Sequence, residues 1–204
     1  MSEDTSKKIL DGALKMFTQH GIKSITMDEI AESLSISKRT IYENFKDKNT
    51  LVFECLKYMD DSIDSKMKQI SRESDNTMIE MMATTQEMQR LLKSVNPKFL
   101  NDVKNIDLPN DYCRQKEMER QIKQEMRLTK GQEEGLIRED VSPTLLSSSI
   151  ADGIRQMAEK AIKENPDIQI HKVINTFIKI FYRGIATEKG LKIIENYEKA
   201  NPTL

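Results

Sequence analysis

Histidine, cysteine, glycine and proline are all scarce in this 204-residue chain, and each shortage removes a class of function. His20 and His171 are the two histidines, and Phe17 and Ile168 stand three residues before them, so the Glu-x-x-His pairs of a di-iron bundle are missing. Cys55 and Cys113 build no disulfide framework, and with so few histidines they form no zinc cluster or Cys–His nucleophile pair. They read as reduced thiols of a cytoplasmic protein. The seven glycines form no phosphate-binding loop. Catalytic residues, metal ligands and cofactors are therefore expected to be none, and the chain is not expected to be an enzyme.

Long apolar runs are lacking too. Val173 to Ile185 comes nearest and is cut by Lys179 and Arg183, too short and too charged for a bilayer span. The first residues, Met1-Ser2-Glu3-Asp4-Thr5, are polar and lead into no signal-type apolar segment. No membrane partner is expected. A net charge of −1 means that any nucleic-acid site must be a local feature.

What remains is rich in helix formers: Leu, Ile, Met, Lys, Glu and Gln, with 32% charged and 37% hydrophobic residues. That mixture predicts an all-α fold of one large or two small domains. Ile9, Ala13 and Phe17 make an apolar stripe over Ser6 to His20, and Gly21 follows where a left-handed cap would sit. Thr26-Met27-Asp28-Glu29 reads as a capping box, and Met27, Ile30, Ala31 and Leu34 carry a short second helix. After the break at Ser35-Ile36-Ser37, Ser37 is the N-cap of a third helix, Lys38 to Asn44. Ile41 and Phe45 should face inward from it, and Lys38, Arg39, Thr40, Glu43 and Asn44 outward.

Helix, tight turn, helix around a small apolar hub is the helix-turn-helix pattern. Lys38, Arg39 and Thr40 are of the types that meet base edges or phosphates in a major groove. They sit at a helix start, whose free amides suit phosphate. Tyr42 and Lys48 flank that helix and can donate hydrogen bonds to a DNA backbone. Residues 1–50 hold eight basic and eight acidic side chains, so the basic character is confined to Lys38–Lys48, where four basic residues face two acidic ones. A modest salt dependence follows. Thr26 and Ser37 cap helices with or without DNA, and Glu43 is expected to set local charge or to pair with Lys46.

The runs Ile9-Leu10-Asp11-Gly12-Ala13-Leu14-Lys15-Met16-Phe17, Thr26-Met27-Asp28-Glu29-Ile30-Ala31 and Ser37 to Lys48, with Gly21 between, resemble the DNA-binding head of the TetR (tetracycline-repressor-like) family. The likeness covers about the first quarter of the chain. It departs at Ser35, where the turn often carries Gly. The resemblance implies that Thr26 touches phosphate, that Lys38, Arg39, Thr40 and Asn44 lie in or beside the major groove, and that Tyr42 and Lys48 clamp phosphates. It implies a head at residues 1–47 and an effector-binding, dimerising body at 48–204.

In the body, eight of the twelve methionines lie between Met59 and Met126. They read either as a deformable apolar cavity or as an ordinary core. The resemblance implies an effector pocket in this region, with Met59, Ile63, Met82, Met88, Met118 and Ile122 as candidate lining and a largely apolar small molecule as ligand. A long polar helix at about 111–132 carries one narrow stripe, Met118, Ile122 and Met126. The last third is more apolar than one core face requires. Ile150, Ile154, Met157, Phe177, Phe181 and Gly184 are the expected homodimer face, a four-helix bundle formed by two copies. A filled body without a ligand is the competing reading, which would leave a DNA-binding or partner-binding module.

Overall fold

The computed structural model describes residues 3–106, 109–164 and 170–201, and among them every regular element is an α-helix. The helices are α1 (Glu3–His20), α2 (Met27–Ser33), α3 (Lys38–Asn44), α4 (Lys48–Glu73), α5 (Thr77–Ser94), α6 (Pro97–Lys104), α7 (Asn110–Glu133), α8 (Pro143–Glu164), α9 (Ile170–Ile185) and α10 (Glu188–Ala200). Each predicted helix is present, with ends shifted by a few residues. Asn165-Pro166, a pair that by its proline should end a helix, lies outside the described residues, as does the side chain of Ile154. No described helix is long and apolar enough to cross a membrane.

Two compact units form. The first gathers the chain up to Lys68 with the segment from Lys93 through α6; the second gathers Gln69–Leu92 with the helices from α7 onward. Both α4 and α5 cross the division, and α6 groups with the first unit.

The core of the first unit is the hub expected from the spacing. Ile9, Ala13, Phe17, Ile30, Ile41, Phe45 and Leu51 are buried together, joined by Phe99 of α6. Burying each of the large side chains, Ile, Leu or Phe, contributes ~1.5–3 kcal/mol, which sets α3 firmly against α1 and α2. Two turn positions adopt left-handed backbone. Gly21 does so at φ 89°, a region that costs glycine nothing. Ser35 does so at φ 53° in the turn between α2 and α3, so the departure from glycine leaves the turn geometry intact at a cost of ~1–2 kcal/mol.

The second unit has its own core of Met78, Met81, Met82, Leu128, Leu136, Ile137, Ile185 and Ile194. The loop after α7 is pinned to the loop after α9: Arg138 N–H donates to Ile185 O at 2.9 Å and Thr187 N–H to Leu136 O at 3.0 Å. A Cβ at Gly190 would stand 2.3 Å from Leu136 O, so this close approach requires glycine.

One helix is turned differently from its pattern. The stripe of α7 faces outward: Met118, Ile122 and Met126 are 63%, 51% and 67% exposed. The inner side of α7 instead places Leu128 and Gly131 in the core and pairs Arg127 with Glu80 at 3.0 Å, both largely buried. An apolar stripe reports that a helix face is to be covered; it does not say whether the chain itself covers it.

Candidate nucleic-acid interface

Local chemistry fixes the two helices of the head before any packing. Thr26 N–H donates to Glu29 Oε2 at 2.7 Å, and Glu29 N–H to Thr26 Oγ1 at 3.2 Å, a complete capping box. The hydrogen bonds from Thr26 hold the Glu29 carboxyl below its ordinary range. Thr40 N–H donates to Ser37 Oγ at 3.0 Å, so Ser37 is the N-cap of α3. With Ile41 and Phe45 drawn into the hub, helical periodicity leaves Lys38, Arg39, Tyr42 and Glu43 exposed.

Those outer side chains are arranged in pairs. Lys38 Nζ lies 2.6 Å from Asp28 Oδ1, bridging the first turns of α3 and α2. Arg39 Nε donates to Glu43 Oε1 at 2.8 Å, one helical turn along. Lys48, at the start of α4, is half-buried; burial lowers its ammonium pKa, opposed by Asp102 and Glu29, which face it. Tyr42 is 44% exposed, with its ring outside the hub.

Asn44 has a different position from the one expected. Its Nδ2 donates to Thr40 O at 2.7 Å and its Oδ1 accepts from Ser6 Oγ at 2.7 Å, which clips the end of α3 to α1. The pairings of Asp28 and Ser6 depend on residues ten and thirty-eight positions apart and could not be read from spacing. The Arg39–Glu43 pair has a readable i, i+4 separation, and it stands where the sequence offers Lys46 as a partner for Glu43.

A third clamp comes from α6. Asn96 N–H donates to Thr18 O at 2.8 Å and its Nδ2 to Gln19 O at 2.9 Å, while its Oδ1 caps α6 by accepting from Lys98 N–H at 2.9 Å. The buried Asp102 carboxylate accepts from Lys23 N–H at 3.0 Å. The end of α1 and the loop leading to α2 are thereby held from both sides of α6. Sequence spacing gives no sign of this, because α6 lies some seventy-five to eighty residues away along the chain.

The six candidate pocket residues have separate surroundings. Met59 packs on the core of the first unit, and Ile63 is half-buried on α4. Met82 is buried in the second core, whereas Met88, Met118 and Ile122 are exposed. A cavity of about 20 Å³ lies among Met82, Thr85, Asn175, Ile178 and Tyr182. That holds roughly one water, far below the several hundred Å³ of a typical small-molecule site. Its lining is mostly apolar, with hydrogen-bonded polar groups beside it: the Thr85 and Tyr182 hydroxyls lie 2.6 Å apart, Tyr182 Oη donates to Met81 O, and Gln89 Nε2 donates to Asn175 Oδ1 at 3.1 Å. Burial pushes the Tyr182 phenol pKa up. Among the described residues no group of His, Cys, Asp and Glu could hold a metal ion.

Of the expected dimer-face residues, Ile150, Met157, Phe177 and Phe181 are half-buried and Gly184 is exposed. Phe177 and Phe181 stack with ring centroids 6.3 Å apart. Leu145 of α8 and Ile180 of α9 are more than two-thirds exposed. A Cβ at Gly184 would meet nothing within 4 Å, so no close packing among the described residues requires glycine there.

Comparison with known proteins agrees with this geometry. Residues 9–55 match the family described as bacterial regulatory proteins, tetR family. The chain is 33% identical over 95 residues to the uncharacterized HTH-type transcriptional regulator YhgD of Bacillus subtilis (strain 168), a match covering 47% of this chain and 46% of that protein. The chain thus spans about half the length of that relative. The fold resembles the regulatory protein TetR from Rhodobacter sphaeroides, with a TM-score of 0.67, 17% identity and coverage of 88% of this chain and 97% of the other. It also resembles the fatty acid degradation regulator FadR from Bacillus halodurans, with a TM-score of 0.65, 14% identity and coverage of 89% and 98%. On sequence, residues 9–55 thus match the head of the tetR family, and beyond it the chain shares the all-helical fold of solved regulators of that type.

Proposed function

We propose that the protein is a cytoplasmic, homodimeric DNA-binding transcription regulator that represses from a palindromic operator and is released by a small-molecule effector. The observation that carries the proposal is the outer face of α3. Lys38, Arg39 and Tyr42 are exposed on a helix whose opposite side is locked into the hub by Ile41 and Phe45. Rigid support behind an exposed polar face is what reading base edges requires. Lys38, Arg39 and Thr40 would enter the major groove, with Thr26, Tyr42 and Lys48 on phosphates. Ser37 would act through its cap, and Asn44 would position the helix end rather than reach the bases.

Pairing of two copies is supported by apolar side chains on α8 and α9 that one chain leaves uncovered, Leu145 and Ile180 among them. Two heads on a two-fold axis would read half-sites about 34–36 Å apart. Because α4 and α5 run from one unit into the other, an effector bound in the body could change head spacing. It would weaken DNA binding by its differential affinity for the two states, ~1–3 kcal/mol for such couplings.

Selection of bound duplexes from a random pool, with the purified protein, tests this reading. The expected result is an enriched inverted repeat, bound by a species of twice the chain mass in sedimentation. Recovery of no inverted repeat overturns the operator proposal.

A further inference from the structure

Each cation between Lys38 and Lys48 has a carboxylate beside it. Asp28 holds Lys38 at 2.6 Å, and Glu43 holds Arg39 at 2.8 Å. Asp47 adjoins Lys46, and Glu29 and Asp102 face Lys48. Non-specific DNA binding depends on cations that neutralise phosphates and release counterions. A cation that must first leave a carboxylate gains less from a phosphate, and the carboxylate left behind repels the backbone. The face that would meet DNA is therefore nearly neutral in the free protein.

We propose that Asp28 and Glu43 are specificity residues: they suppress binding to arbitrary DNA, and Glu43 in addition positions Arg39 for one base. This rests on the DNA-binding reading above. The Arg39–Glu43 bond engages Nε, one of five guanidinium N–H donors, and leaves four for a base edge and its surroundings. A guanidinium held one helical turn from its anchor loses less rotamer freedom when it docks. On a matching operator the base contact repays the displaced or shared carboxylate; on other sequences nothing does. Discrimination then arises as much from disfavouring wrong sequences as from binding the right one.

The test uses Asp28→Asn, Glu43→Gln and the double variant of the full chain. Both side chains are more than half exposed, so folding should survive, and circular dichroism checks it. Affinity is measured for the pool-selected operator duplex and for a scrambled duplex of equal length over a salt series. Each single change should raise affinity for the scrambled duplex about two- to fivefold, with a steeper salt dependence. Glu43→Gln should leave operator affinity equal or lower, so that the operator-to-scrambled ratio falls about tenfold in the double variant. Unchanged or weaker binding to the scrambled duplex in both single variants overturns the inference while leaving the operator reading intact. So does a Glu43→Gln protein that loses preference at one base pair with no gain on scrambled DNA, since Glu43 would then be reading a base itself. A parent chain that selects no operator overturns the reading beneath it.

Discussion

Replacing Asp102 with Ala tests whether α6 is a structural part of the head. Asp102 is 7% exposed and accepts the Lys23 N–H at 3.0 Å, and its second oxygen lies 3.9 Å from Lys23 Nζ. A hydrogen bond to a charged acceptor contributes ~1.5–3 kcal/mol, and the Lys23 ion pair adds little because that ammonium is largely solvated. Lys48 loses one of the two carboxylates facing it, which makes its partial burial less favourable. The expected cost of Asp102→Ala is ~2 kcal/mol, read as a lower urea midpoint with unchanged slope. Asp102→Asn keeps an acceptor in place and should cost about half as much. Amide exchange should speed up at Lys23 and its loop neighbours ahead of the helices. An Asp102→Ala protein within ~0.5 kcal/mol of the parent, with Lys23 exchange unaltered, would refute the clamp.

Three further outcomes are expected. The lowered Glu29 pKa means that the folded head binds a proton less readily than the unfolded chain, so this stability is present above the ordinary Glu range and fades as pH falls through the folded value. The urea midpoint should therefore drop more between about pH 6 and pH 3 in the parent than in Glu29→Gln. Ser35→Val should cost ~1–2 kcal/mol in thermal unfolding, because a β-branched residue tolerates the left-handed turn poorly, while Ser35→Gly should stabilise by up to ~1 kcal/mol, the relieved strain being partly offset by glycine's greater freedom in the unfolded chain. Burial raises the Cys55 thiol to about 12, whereas Cys113 is exposed, so a disulfide reagent near neutral pH should label one thiol per native chain and the second only on unfolding.

The head was legible because its determinants are local. Capping by Thr26 and Ser37, the hub spacing of Ile9, Ala13 and Phe17, and the left-handed positions at Gly21 and Ser35 each depend on a few neighbouring residues. What spacing could not supply is long-range. Nothing near Asn44 announces Ser6, and nothing near Lys23 announces Asp102. In the body the methionines leave a cavity and an ordinary core both open, and helical period leaves the outer and inner sides of α7 undecided. A polar partner on a distant helix, Glu80 of α5 facing Arg127, marks the side that turns inward. The extent of α10, Glu188–Ala200, also exceeds the apolar stretch Leu191 to Tyr197, because Thr187 caps it by accepting from Gly190 N–H.

Affinities of Arg39→Ala and Lys48→Ala for a set of operators, each altered at a single base pair, bear most directly on whether α3 reads DNA. If it does, Arg39→Ala loses ~1–3 kcal/mol on the intact operator and becomes indifferent to one base position, while Lys48→Ala weakens all duplexes alike and lowers the salt slope by about one. An Arg39→Ala protein that binds every operator as the parent does, or loses the same factor on all of them, would contradict base reading by this helix.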